Sequence, residues 1–191
     1  MMQYLLSPYA RETVPWAYWE NGFLDSELDK LEDLASGVSS QAIVNSGYDD
    51  TIRRSSIDWL HLSEDTHWVY DRLGQIVARL NASYFNFDLT CFGEPVQLTK
   101  YVSTNNGNYD WHIDNGSAGI SRKLSVVLQL TNPNDYEGGE LQLKGPNNVI
   151  TIPRQRGLLT AFPSYTTHRV TPVTRGNRHS LVLWVTGPKF R

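Results

Sequence analysis

Two helical stripes followed by a train of short strand patterns organise the chain. Over residues 25–35, Leu28, Leu31, Leu34 and Ala35 recur at helical spacing behind a cap predicted at Asp25 or Ser26, and Gly37 stands where a helix should stop. A second stripe, Val69, Leu73, Ile76, Val77 and Leu80, predicts a longer helix that starts after Ser63 and runs to about Phe85. From Pro95 onward the texture changes, and segments rich in Val, Ile, Leu, Thr and aromatic residues alternate with Gly, Pro and Asn clusters. Strands are predicted over 96–103, 123–130, 140–143, 148–152, 158–162, 169–173 and 179–186. Short strands at this even spacing suit a sandwich or barrel, and a parallel sheet lacks its crossover helices after residue 95. The expected fold class is mainly β (α+β), with an antiparallel jelly-roll core over about 95–188 and supporting helices within about 1–90. No boundary divides residues 1–191, so one domain is expected.

With 191 residues, the chain can bury one substantial core. Its 40% hydrophobic and 19% charged residues, without a charge block or low-complexity tract, describe a folded chain. A formal net charge of -3 gives no broad attraction for phosphate backbones, so bulk nucleic-acid binding is not expected; Arg53-Arg54 and Arg154/Arg156 are the local basic pairs. Cys91 stands alone and cannot form an internal disulfide. The apolar stretches are too short to span a bilayer, and the start, Met-Met-Gln-Tyr-Leu-Leu, lacks the basic region and long apolar core of a secretion signal. A cytoplasmic location is expected on composition.

The candidate chemistry lies in two distant segments. In Trp111-His112-Ile113-Asp114, residues two apart on an extended chain project to one face, so His112 and Asp114 can offer an imidazole nitrogen and a carboxylate oxygen to one ion. Far downstream, His168 can complete a face of two histidines and one carboxylate, which leaves positions on a ferrous ion open. Arg178 and Ser180 are again two apart, and a planar guanidinium grips a carboxylate through two parallel hydrogen bonds. Taken singly, each element also reads as a surface histidine beside a turn aspartate, or as an ordinary arginine on a strand. His61 and His67 have no matching partner and read as structural or surface residues, and alternation turns His179 outward.

The ordered set is more specific. His-x-Asp, a strand-rich stretch, a second histidine and an arginine ten residues beyond it resembles the Fe(II)/2-oxoglutarate-dependent dioxygenases, in particular the prolyl-4-hydroxylase-like family, over roughly residues 96–188. Tyr136-Glu137-Gly138-Gly139-Glu140-Leu141 looks like that family's Tyr-x-Gly-Gly-Glu-Leu turn, although the glycines also suit any turn with positive backbone angles.

The resemblance implies a double-stranded β-helix, Fe(II) on His112, Asp114 and His168, and 2-oxoglutarate held by Arg178 with Tyr101, Ser180, Trp184 and Gln129 around it. Gln129 stands in for a second tyrosine that some prolyl hydroxylases carry on the strand after His-x-Asp and this chain lacks. It further implies O2 as oxidant, with ascorbate as a possible accessory, release of succinate and CO2, and hydroxylation of an unactivated C–H bond. The acid at Asp114 argues against a halogenating relative. Prolyl residues of a peptide or protein are the first choice of substrate, a free amino acid or small metabolite the second, and Tyr109, Trp111, Arg53, Arg54 and Trp59 are candidate walls of the substrate cleft. A non-catalytic jelly-roll binding module is the reading from another class.

Overall fold

A central sheet buried on both faces explains why every residue of 123–130 is buried, because opposite faces of the strand meet different cores. The computed structural model describes residues 14–42, 51–114 and 121–189. Its helices are α1 (Asp25–Ser36) and α2 (His67–Leu80). Before the predicted strand region lie β1 (Ala17–Trp19), β2 (Arg53–Arg54), β3 (Ser56–Leu60) and β4 (Cys91–Phe92). Then follow β5 (Val96–Val102), β6 (Asn108–His112), β7 (Arg122–Gln129), β8 (Glu137–Gly138) and β9 (Leu141–Lys144). The chain closes with β10 (Val149–Thr151), β11 (Leu159–Pro163), β12 (His168–Val170), β13 (Val173–Arg175) and β14 (Asn177–Thr186).

The major sheet runs β1-β11-β7-β14-β5-β3, with β4 on the end of β14, and the minor sheet runs β10-β9-β12-β6-β2. Every pairing is antiparallel. On one face of the major sheet, Leu124, Val126, Leu128, Leu181, Leu183 and Val185 pack with Leu28, Leu31, Leu73 and Val77 of the two helices. On the other, Val127, Tyr101 and Phe162 pack with Leu141, Leu143 and Val170 of the minor sheet. The second core is where a jelly roll keeps its interior, and the candidate site opens at its end.

Three local expectations are corrected. The residue at the start of α1 is Leu24, not Asp25 or Ser26; the Glu27 carboxylate reaches back to accept the Leu24 N–H at 2.8 Å, so the third residue of the helix satisfies the end instead. Helix α2 starts after Ser63 as expected, at His67, and the helical run reaches Phe85 through a π turn over Asn81–Phe85 before Asn86 turns left-handed. The strand expected at 169–173 is two strands, because Pro172 has no N–H to donate to a ladder and its carbonyl instead accepts the Gly139 N–H. Strands β1 to β4, β6 and β8 were not foreseen; none exceeds five residues, too few for alternation to show. The N-terminal segment at 1–13 lies outside the described residues. Among the described residues no helix is long and apolar enough to cross a membrane.

Candidate active site

Cross-strand register assembles the site. His168 on β12 is the direct partner of His112 on β6. Farther along β12, Val170 pairs with Tyr109 rather than Asp110, so β6 carries a bulge, and the extra residue puts Tyr109 on the same side as His112. The two rings stack with centroids 3.4 Å apart. Asp114 follows β6, where its N–H donates to the Ser164 carbonyl at 2.9 Å and holds the chain against β11.

His112, Asp114 and His168 bring one potential ligand atom each to within 4.8 Å of one another. His168 Nε2 lies 3.4 Å from Asp114 Oδ2, and His112 Nε2 lies 3.8 Å from Asp114 Oδ1. Each ring turns its Nδ1 to a backbone carbonyl, His112 to Asp110 at 2.7 Å and His168 to Thr166 at 2.9 Å. A carbonyl only accepts, so Nδ1 carries the proton and Nε2 presents its lone pair inward. Burial, and then the neighbouring His168, pushes His112 down to about 4, which keeps its ring neutral at physiological pH. Burial by itself would raise the Asp114 carboxyl; His168, His112 and the Ser125 hydroxyl outweigh it and hold the group below its ordinary value. Ser125 donates to Asp114 Oδ2 at 2.6 Å, and Ser164 Oγ lies 3.0 Å from Ser125 Oγ.

The cavity beside these three residues ends on Arg178 and Ser180. Alternation along β14 puts Arg178, Ser180, Val182 and Trp184 on one face, all lining that cavity. Arg178 is 1% exposed, and its partners are neutral: Gln129 Oε1 accepts from Nη2 at 2.6 Å, Ser180 Oγ lies 3.4 Å from Nη1, and Nε has no partner. A buried guanidinium without a carboxylate is costly, so the pocket suits an incoming acid. Tyr101, the cross-strand partner of Arg178, places its ring 5.4 Å from the guanidinium carbon.

Residues 96–186 match the model of the 2OG-Fe(II) oxygenase superfamily. Across them the chain is similar to that superfamily. The chain is 36% identical over 124 residues to a PKHD-type hydroxylase of Acidovorax ebreus (strain TPSY), an alignment covering 60% of this chain and 54% of the relative. The chain thus spans about half the length of that curated relative. Its fold superposes on a prolyl hydroxylase from Trichoplax adhaerens, solved with a hypoxia inducible factor oxygen degradation domain peptide fragment, with a TM-score of 0.74 at 22% identity over 91% of this chain and 84% of the other. For a Pseudomonas putida prolyl-4-hydroxylase the TM-score is 0.70 at 20% identity, over 92% and 94%. Both likenesses establish the double-stranded β-helix.

The match to that superfamily implies Fe(II) and 2-oxoglutarate, and the residues fit both groups. Two inward-facing Nε2 atoms and one carboxylate form the facial set that ferrous iron takes, and among the described residues no fourth acid, histidine or cysteine joins them. The orphaned Arg178 Nε stands at the other end for the distal carboxylate.

The remaining sequence candidates divide. Tyr101, Ser180, Trp184, Tyr109 and Arg53 line the cavity. Gln129 does not, and its carboxamide oxygen accepts from Arg178, so the structure gives it the role of steadying that side chain. Arg54 bonds Asn108, Trp111 lies under Arg169 with 4.5 Å from guanidinium to ring, and Trp59 packs 6.3 Å from Trp184; none of the three lines the cavity. His179 alternates away from Arg178 but does not face solvent, because α1 covers that face; it is 7% exposed and bonds Thr131 and Glu32. His67 pairs with Asp71 on the surface. Sequence reasoning passed over Ser125, although a lone hydroxyl in Leu124-Ser125-Val126-Val127 signals a buried polar group in need of a partner.

Proposed function

We propose that this chain hydroxylates an unactivated C–H bond in an iron- and 2-oxoglutarate-dependent reaction that releases succinate and CO2, with prolyl residues of a peptide or protein as substrate. The carrying observation is the pairing, in one cavity, of the His112, Asp114 and His168 triad with the carboxylate-free guanidinium of Arg178. A jelly-roll module that only binds has no use for that buried charge.

Ferrous iron, when bound, supplies the redox chemistry that couples O2 and 2-oxoglutarate to C–H oxidation. His112 and His168 would hold it through Nε2, and Asp114 through the carboxylate that Ser125 orients. Arg178 and Ser180 would take the distal carboxylate of 2-oxoglutarate and aim its keto acid end at the metal. Val127, Leu141, Val170 and Val182 line the same cavity and exclude water from the reacting centre. The peptide reading is supported by relatives described as PKHD-type hydroxylases and by a fold neighbour solved with a peptide.

The test is succinate formation from 2-oxoglutarate by the iron-loaded chain, with and without a pool of proline-containing peptides. Iron-dependent succinate that rises with the pool and yields hydroxyproline by mass spectrometry is expected. No iron-dependent succinate under either condition refutes the oxygenase reading; succinate without any hydroxylated peptide refutes the prolyl substrate.

A further inference from the structure

We infer that Arg53 is an anion subsite, and that the substrate presents a carboxylate to it next to the bond that is oxidised; this rests on the oxygenase reading above. Arg53 and Arg178 are the buried arginines among the described residues, at 8% and 1% exposure, and both line the one cavity that holds the ligand triad. Arg72, Arg122, Arg156 and Arg175 pair with Glu27, Glu94, Asp29 and Glu137, whereas Arg54, Arg154 and Arg169, which bond neutral oxygens, are not buried. Among the described residues Arg53 bonds only neutral oxygens, Ser55 Oγ from Nε at 2.8 Å and Gln97 Oε1 from Nη2 at 3.1 Å. Gln97 is itself steadied by the Thr99 hydroxyl at 3.2 Å. The guanidinium therefore has a fixed position, and no hydrogen bond among the described residues engages Nη1.

The position is close to the chemistry. The guanidinium carbon lies 4.6 Å from the centre of the Tyr109 ring, and that ring stacks on the candidate ligand His112 at 3.4 Å. Arg53, Tyr109 and His112 thus form a column from the anion subsite to the candidate metal centre. Charge completes the case. The dication and Arg178 balance Asp114 and the dianionic co-substrate, which leaves Arg53 with no counter-charge among the described residues in a cavity walled by Val127, Leu141, Val170 and Val182. An uncompensated buried cation is stabilised by a ligand carboxylate through a charge-assisted, two-pronged contact. A peptide carbonyl would satisfy the free N–H but not the charge.

Such a carboxylate has three sources: a free amino acid, the C-terminus of a peptide, or an acidic side chain beside the target residue. Each is probed with an acid and its neutral partner, namely L-proline and L-prolinamide, N-acetyl-Ala-Pro and its amide, and N-acetyl-Ala-Pro-Glu-amide and its Gln counterpart. Binding is measured calorimetrically on the iron-loaded full chain, kept anaerobic with saturating 2-oxoglutarate. We expect the acid of at least one pair to bind at least tenfold tighter than its partner, the difference to vanish in R53Q, and part of it to persist in R53K; the responding pair names the source. Acid and neutral partners that bind alike in all three pairs, or a preference that survives R53Q, would overturn the inference. So would a loss of 2-oxoglutarate binding in R53Q as deep as that in R178A, which would place Arg53 in the co-substrate pocket. Wild-type chain that binds no 2-oxoglutarate overturns the oxygenase reading and this inference together, whereas co-substrate binding without an acid preference overturns this inference alone.

Discussion

Gly139 lies against the aliphatic stem of Arg178 so closely that a Cβ added to it would stand 2.9 Å from Arg178 Cδ. Its backbone is also left-handed, at φ +60°, and the same Cβ would meet Val173 Cγ2 at 2.9 Å. The double-glycine turn therefore serves the site as well as the chain reversal, because it leaves room for the buried guanidinium. Gly139→Ala should displace Arg178 and weaken 2-oxoglutarate binding by roughly tenfold, about 1.4 kcal/mol, while metal affinity stays within a few-fold of wild type. Titration of each ligand separates the two; equal loss of both would point to general unfolding.

Arg178→Gln should weaken 2-oxoglutarate binding far more, by about 2–4 kcal/mol, because a desolvated carboxylate would lose its charged partner. Arg178→Lys should recover part of the loss, since it restores the charge without the planar fork. Unchanged co-substrate affinity in the Gln variant would remove Arg178 from this role.

Asp114→Ala and His168→Ala should each abolish iron-dependent succinate formation and leave the circular dichroism spectrum unchanged. Chelation of the wild-type protein should have the same effect, and added Fe(II) should reverse it. Turnover at the wild-type rate in either variant would exclude that residue from the ligand set.

Ser125 controls one oxygen of the Asp114 carboxylate. Ser125→Ala should lower Fe(II) or Co(II) affinity by roughly 10- to 100-fold, the usual cost of losing a group that orients a ligand, and Ser125→Thr should retain much of it. A full-affinity Ala variant would show that the backbone alone sets the carboxylate.

The His179 imidazole is held below its ordinary value, by burial first, with Lys100 and Arg178 adding to the effect against Glu32. The folded state therefore prefers the neutral ring. Above the unfolded value of about 6.5 the group has no effect on stability; as pH falls from there toward the lower folded value, the unfolded chain takes up the proton first and folding is weakened. The expected slope is at most about 1.4 kcal/mol per pH unit, and His179→Gln should flatten it in denaturant titrations run between pH 7 and pH 5. An unchanged slope in that variant would assign the acid sensitivity to other groups.

Much of the fold could be read along the chain because its longer elements have a period. The stripe Val69, Leu73, Ile76, Val77 and Leu80 lies buried on one side of α2, and the apolar run of β7 lies between two cores. Arg178, Ser180 and Trp184 share a face because a strand alternates, and that too follows from spacing. Alternation failed at His179, where it gave the right face and the wrong environment: whether the far side of β14 meets water depends on α1, which is remote in sequence.

Local order along the chain thus determined the element types, the strand face of Arg178 and the residue kinds able to hold a metal and an acid. Tertiary structure alone decided that His168 stands opposite His112, that a bulge turns Tyr109 toward the same side, that Gln129 meets Arg178 instead of the cavity, and that Arg53 is buried with neutral partners among the described residues. The reason is physical. Periodicity is a property of neighbouring residues, whereas convergence depends on strand register and burial, which are set by contacts between segments tens of residues apart.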